Sequence, residues 1–109
     1  EFEHKYENTY AARYGGEEFC IILPNTKLDN AVTIAQRLKN KISAEKIIVQ
    51  DGQQISVTCS FGVKEYEIND TVEEFVNKTD TLLYRAKFLG RDRVCYWEIL
   101  NIEKQIIFL

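Results

Sequence analysis

Between Arg13 and Phe19 the chain reads Arg-Tyr-Gly-Gly-Glu-Glu-Phe, residue types suited to phosphate and metal chemistry. Gly15 and Gly16 let the backbone turn tightly and admit a phosphate with no side chain in the way. Glu17 and Glu18 follow at once, and a hard cation such as Mg²⁺ takes carboxylate oxygens as ligands beside phosphates. The same residues also suit an ordinary Gly-Gly hairpin turn carrying solvated acids. Taken alone, the stretch leaves both readings open.

Positioning falls to the flanks. Ala11-Ala12-Arg13-Tyr14 and Phe19-Cys20-Ile21-Ile22-Leu23 read as short strands, which puts the glycines at a hairpin tip. Pro24-Asn25-Thr26 ends the second strand, and Thr26 is a candidate helix N-cap with Asp29 in the first turn. Leu28, Val32, Ala35, Leu38 and Ile42, with Ala31 and Ile34 beside them, predict a helix with one face on a sheet. Ile47-Ile48-Val49 and a strand from Ile55 to Val63 flank Asp51-Gly52, a two-residue hairpin signal. In that second strand Ile55, Val57, Cys59, Phe61 and Val63 alternate with Ser56, Thr58, Ser60 and Gly62, giving one core face and one polar face. Thr71 and Glu74 form a capping box for a helix faced by Val72, Phe75, Val76, Thr79, Leu82, Leu83 and Ala86. Gly90 suits a left-handed stop past the helix end, and Val94-Cys95-Tyr96-Trp97 predicts a last strand.

Three segments in this order carry a family resemblance. They are the Arg13–Phe19 signature, Ser56-Val57-Thr58-Cys59-Ser60-Phe61-Gly62-Val63, and the stretch from Thr79 through Tyr84-Arg85-Ala86-Lys87 and Gly90-Arg91-Asp92-Arg93 to Val94. Together they resemble the GGDEF domain, the catalytic domain of bacterial diguanylate cyclases, in its Gly-Gly-Glu-Glu-Phe variant. The resemblance runs from Ala11 to about Trp97. It implies an α+β fold, an antiparallel palm-like sheet with helices packed on it, as in nucleotide cyclases. It also implies a reaction in which two GTP molecules, one on each subunit of a homodimer, are joined into cyclic di-GMP with release of two pyrophosphates. Such transfers need charge neutralisation and in-line positioning more than covalent help.

Carried over by position, the resemblance makes Glu17 the main metal-binding carboxylate and, with Glu18, a catalytic residue. Gly15 and Gly16 would let the hairpin approach the nucleotide, and Lys87 and Arg91 match the family's phosphate-contacting pair. That pair is also sensible on its own chemistry. A point-charge lysine and a forked arginine at one helix end can grip a triphosphate, although cations at a helix C-terminus also simply favour the dipole. The implied ion is Mg²⁺, with Mn²⁺ as the alternative. Arg85, Asp92 and Arg93 have weaker claims, and Asp80 and Tyr84 are expected to be structural.

The sequence also departs from the family. A first strand with a second metal-binding Asp, and the helices that read guanine, would precede the hairpin, yet Glu1 to Tyr10 resemble none of this. The first strand and first helices are therefore expected to be missing, and the chain alone is expected to be inactive. An inhibitory product site, Arg-x-x-Asp, would fall on Tyr6 to Thr9, which read Tyr-Glu-Asn-Thr, so that site is not expected. Loss of a central strand would expose a sheet edge, to be filled by a second chain or by the apolar tail Ile99–Leu109. The division expected is a non-matching N-terminal segment or cloning remnant over 1–10, a partial GGDEF domain over 11–97, and an apolar tail or linker over 98–109. A catalytically silent regulatory or dimerisation module that binds nucleotide or a partner is the alternative function.

Composition limits the remainder. A chain of 109 residues makes one small domain at most. A net charge of −3 gives no electrostatic case for nucleic acid. Cys20, Cys59 and Cys95 are widely spaced in apolar runs, which predicts buried free thiols in a reducing compartment. His4 is the only histidine, so a histidine-based triad has no support. No apolar window is long enough to span a membrane and no signal peptide is visible. With the resemblance, this points to the bacterial cytoplasm, within a larger sensor protein.

Overall fold

A computed structural model of the chain describes residues 9–97. Its elements run β1 (Tyr10–Arg13), β2 (Phe19–Ile22), α1 (Leu28–Ala44), β3 (Ile47–Ile48), β4 (Gln54–Ile55), β5 (Phe61–Val63), α2 (Val72–Phe88) and β6 (Val94–Tyr96). The strands pair as three two-stranded sheets, with β1–β2 and β3–β4 antiparallel and β5–β6 parallel. The mixed α+β character is as expected. The parallel pair follows from connectivity, since a strand that returns through a helical crossover lies parallel to the one it left.

Helix α2 organises the packing. The Thr71 hydroxyl accepts from the Glu74 N–H at 3.1 Å, and the Glu74 carboxylate accepts from the Thr71 N–H at 3.3 Å, the reciprocal box expected at its start. At the other end Gly90 has φ 122°, the Gly90 N–H reaches the Lys87 carbonyl at 3.4 Å and the Arg91 N–H the Ala86 carbonyl at 2.9 Å. This is a Schellman stop. Among the described residues, Leu82 and Ala86 of α2 and Leu28 and Ala35 of α1 are the buried apolar ones. Strand β5 lies so close to α2 that a Cβ on Gly62 would sit 2.5 Å from the Thr79 carbonyl oxygen and against the Leu83 backbone nitrogen. Glycine is there for close approach, not as part of a polar face. Val72 is 77% exposed despite its place in the helical pattern. Strand β5 meets the helix around Thr79–Leu83, about two turns further on.

Three local expectations need correction. Lys27, not Thr26, is the N-cap of α1, and the Thr26 hydroxyl donates to the Pro24 carbonyl at 3.0 Å. The open Leu28 N–H is instead accepted by the Glu65 carboxylate at 2.6 Å, 37 residues downstream. The Asp51-Gly52 turn is a longer loop: the Gly52 N–H bonds the Val49 carbonyl at 2.9 Å and the Val49 N–H the Gln53 carbonyl at 3.0 Å. Gly52 at φ 84° supplies the left-handed residue that such a three-residue loop requires. The single strand expected over Ile55–Val63 is two, β4 and β5, which belong to different sheets. Alternation reports which face a residue takes, but pairing needs a neighbouring backbone.

Behind β5 lies an ion cluster the sequence reading did not single out. Asp70 accepts from Lys64 and Lys78, each at 2.9 Å, and from the Glu67 N–H at 3.1 Å. Its side chain and that of Lys64 are nearly inaccessible, at 2% and 3%. The Lys64 ammonium also lies 5.6 Å from the centre of the Phe75 ring, which Tyr66 meets edge-on at 5.5 Å. The cluster ties the loop after β5 to the first turns of α2.

Candidate functional site

The hairpin tip closes on its own backbone. The Tyr14 N–H bonds the Glu18 carbonyl at 2.8 Å, the Glu18 N–H bonds the Gly15 carbonyl at 3.0 Å, and the Arg13 Nε donates to the Gly16 carbonyl at 2.9 Å. Gly15 and Gly16 have φ of 68° and 47°, a region that L-residues with a Cβ avoid. Nothing lies within 4 Å of where a Cβ would project from either. The turn needs glycine for its backbone and leaves open space above it. Glu17 is exposed at the tip, and Glu18 is half-buried.

Lys87, in the last turn of α2, places its ammonium 3.8 Å from a Glu18 carboxylate oxygen. One acid of the signature and one cation of the helix end therefore meet, although 69 positions of chain separate Glu18 from Lys87. Arg91 follows just past the helix, exposed, at φ 65°, and Asp92 beside it has φ 48°. Two consecutive non-glycine residues in the left-handed region cost roughly 1–2 kcal/mol each, so the surroundings must hold them. The Asp92 N–H donates to the Ser60 hydroxyl at 3.1 Å, its carboxylate lies 3.5 Å from Lys39, and the Arg93 carbonyl accepts from the Phe61 N–H at 2.9 Å. Arg93 folds back, with Nε donating to the Arg91 carbonyl at 3.0 Å. No periodicity in the sequence points to Ser60 or Lys39, because both act across the fold.

The remaining expected residues sort differently. Asp80 and Tyr84 are exposed on α2, outside its packed face. The cysteines are free, but Cys20 is exposed and Cys59 and Cys95 are only half-buried. Cys20 lies on β2, all of whose residues are exposed, so an apolar run there does not make a buried thiol. Among the described residues no group of three or more His, Cys, Asp or Glu is placed to hold a metal ion. Glu17 and Glu18 offer hard oxygen donors but make only part of such a site. No helix among the described residues is long and apolar enough to cross a membrane. The tail Ile99–Leu109 and the positions of the product site up to Asn8 lie outside the described residues.

The profile of the family described as "Diguanylate cyclase, GGDEF domain" matches residues 4–93. The chain belongs to the GGDEF family. It is 46% identical over 88 residues to diguanylate cyclase VdcA of Vibrio cholerae, covering 77% of this chain and 25% of that protein. It is 42% identical over 85 residues to diguanylate cyclase A of Treponema denticola, covering 77% of this chain and 23% of that protein. The chain thus spans about a quarter of the length of these curated relatives. Among solved structures, diguanylate cyclase SiaD of Pseudomonas aeruginosa, in complex with its activator SiaC, superposes with a TM-score of 0.78 at 35% identity, covering 84% of this chain and 35% of that one. The active GGEEF domain of a diguanylate cyclase from Vibrio cholerae gives 0.73 at 26% identity, covering 89% of this chain and 62% of that one. GGDEF domains bind GTP and can act as dimers, and diguanylate cyclases of the family generally use divalent metal ions.

Proposed function

We propose that this chain is the phosphate-gripping part of a diguanylate cyclase site, which makes cyclic di-GMP from two GTP. The observation that carries the reading is the 3.8 Å approach of Lys87 to Glu18. It joins the signature hairpin to the end of α2, the two places where acids and cations could share a triphosphate. In this reading Lys87 and Arg91 hold phosphate oxygens, and the bare Gly15-Gly16 backbone lets the nucleotide approach. Glu18 occupies Lys87 until phosphate competes for it. Glu17 and Glu18 would hold a divalent ion, Mg²⁺ or Mn²⁺, which when bound neutralises phosphate charge. Two adjacent carboxylates satisfy only part of an octahedral shell, so further ligands must come from phosphate, water and other protein groups.

The working assembly in this reading is a homodimer, or an oligomer that completes the sheet with an added strand, in the bacterial cytoplasm. Residues 4–93, which the family profile matches, would form the family part in this reading, with β6 running on to Tyr96. The test is chromatographic detection of cyclic di-GMP after incubation with GTP and Mg²⁺, using Glu17→Ala as control. The chain Glu1–Leu109 is expected to yield none. A version extended at its N-terminus with the preceding strand and helices of a related GGDEF domain is expected to yield product that Glu17→Ala abolishes. No product from the extended protein, with nucleotide still bound, would favour the catalytically silent module instead.

A further inference from the structure

We infer that Ser60 and Lys39 are positioning residues for Arg91, holding the left-handed Arg91–Asp92 turn in the shape that presents the arginine. The inference rests on the reading of Arg91 as a phosphate ligand. Three consecutive residues past α2 are each fixed by a different neighbour. The Arg91 N–H is bound by the Ala86 carbonyl of α2 at 2.9 Å, and the Arg93 carbonyl by the Phe61 N–H of β5 at 2.9 Å. Between them Asp92 is tied by side chains, its N–H to Ser60 Oγ at 3.1 Å and its carboxylate to Lys39 Nζ at 3.5 Å. Ser60 immediately precedes β5 and Lys39 belongs to α1, so the turn is held from two separate parts of the fold.

The strain makes this grip consequential. Arg91 at φ 65° and Asp92 at φ 48° sit in a well that neither residue prefers. Released at Asp92, the backbone would relax toward right-handed or extended values and swing the Arg91 side chain away from its present direction. A ligand would then have to reorder the turn, and affinity falls when the binding conformation is no longer preformed. Ser60 carries more of this than Lys39. Its hydroxyl bonds the backbone directly, whereas the Lys39–Asp92 pair is partly exposed and screened.

The test uses the whole chain as wild type, Ser60→Ala, Ser60→Thr, Arg91→Ala and the Ser60→Ala/Arg91→Ala double variant. Amide scalar couplings at Arg91 and Asp92 report φ, and calorimetric titration with GTP and Mg²⁺ reports affinity, all well below the melting midpoint. Ser60→Ala is expected to move both couplings off left-handed values and to weaken GTP binding about fivefold, the scale of one hydrogen bond. Ser60→Thr keeps the hydroxyl and is expected to restore both. The double variant is expected to bind no more weakly than Arg91→Ala, because residues acting through one another are not additive. Couplings that stay left-handed in Ser60→Ala, or additive losses, overturn the inference. If Arg91→Ala weakens binding and Ser60→Ala does not, the positioning role alone fails. If Arg91→Ala binds no differently from wild type, the phosphate reading fails and takes this inference with it.

Discussion

The signature hairpin and the β5–α2–β6 unit sit on opposite sides of the same candidate site and are held in very different ways. Every residue of β1 and β2 is exposed, including Phe19 at 71% and Ile22 at 54%. The hairpin keeps its shape through turn hydrogen bonds and its own ladder. The α2 unit has a capping box, a Schellman stop, a fully buried Leu82, a glycine pressed against helix backbone and an ion cluster. The cation side of the site is thus built on packing, and the carboxylate side on local backbone and one long ion pair. Apolar burial sets stability roughly in proportion to area, so the two halves should respond unequally to similar substitutions.

The largest contrast should come from matched truncations. Leu82→Ala removes a side chain that is 2% exposed and should cost about 2–5 kcal/mol. Phe19→Ala, at 71% exposure, should stay within about 0.5 kcal/mol. Urea unfolding monitored by circular dichroism measures both. Equal losses would mean that the hairpin shares the α2 core, and the contrast would be gone. Glycine offers the next contrast. Gly62→Ala drives a Cβ into the backbone of Thr79–Leu83 and should destabilise by about 1–3 kcal/mol. Gly16→Ala meets nothing within 4 Å and should perturb amide shifts only around Tyr14–Phe19, from backbone strain. A melting point as low as that of Gly62→Ala would show the hairpin folding with the rest.

Acid should reach the α2 unit through Asp70. Its carboxyl is held well below the usual carboxylate range, first by the hydrogen bond from Lys64 and then by that from Lys78. A carboxyl depressed in the folded state stabilises fully above its unfolded value of about 3.9, and that stabilisation is lost as pH falls toward the folded one. Stability should therefore decline below about pH 4 and keep declining. Asp70→Asn should flatten that limb while lowering stability at neutral pH. Lys78 is raised by the same contact, so its contribution is complete below its unfolded value and is lost as pH rises through the folded one. An acid limb unchanged in Asp70→Asn would remove the cluster from the account.

Sequence periodicity made α2 legible because its signals are local. Thr71 and Glu74 cap it, Gly90 stops it, and Leu82 and Ala86 recur at helical spacing. The hairpin was legible for the same reason, since positive φ at Gly15 and Gly16 is a property of the turn itself. Interactions across the fold were not legible. Glu65 capping α1, Ser60 and Lys39 holding Asp92, and Lys64 with Lys78 on Asp70 join residues that no short-range pattern links. The site residues themselves came from the family motif. Chemistry alone left Gly-Gly-Glu-Glu an ordinary turn as readily as a phosphate site.

The smallest expected effect bears most directly on how the two halves are joined. Glu18→Gln removes the charge facing Lys87 while keeping the side chain's size. At 3.8 Å, with side-chain exposures of 25% for Lys87 and 35% for Glu18, the pair should add less than about 1 kcal/mol to stability. The melting point should scarcely move. The Lys87 ammonium resonance should shift in the variant, and about 1 M salt should shift the wild type likewise, because the screening length then falls to about 3 Å. A loss comparable to that of Leu82→Ala would mean the hairpin is locked onto α2 as part of its packing. A small loss with a clear Lys87 shift would mean that the acid and cation sides meet through this weak contact, which triphosphate could readily displace.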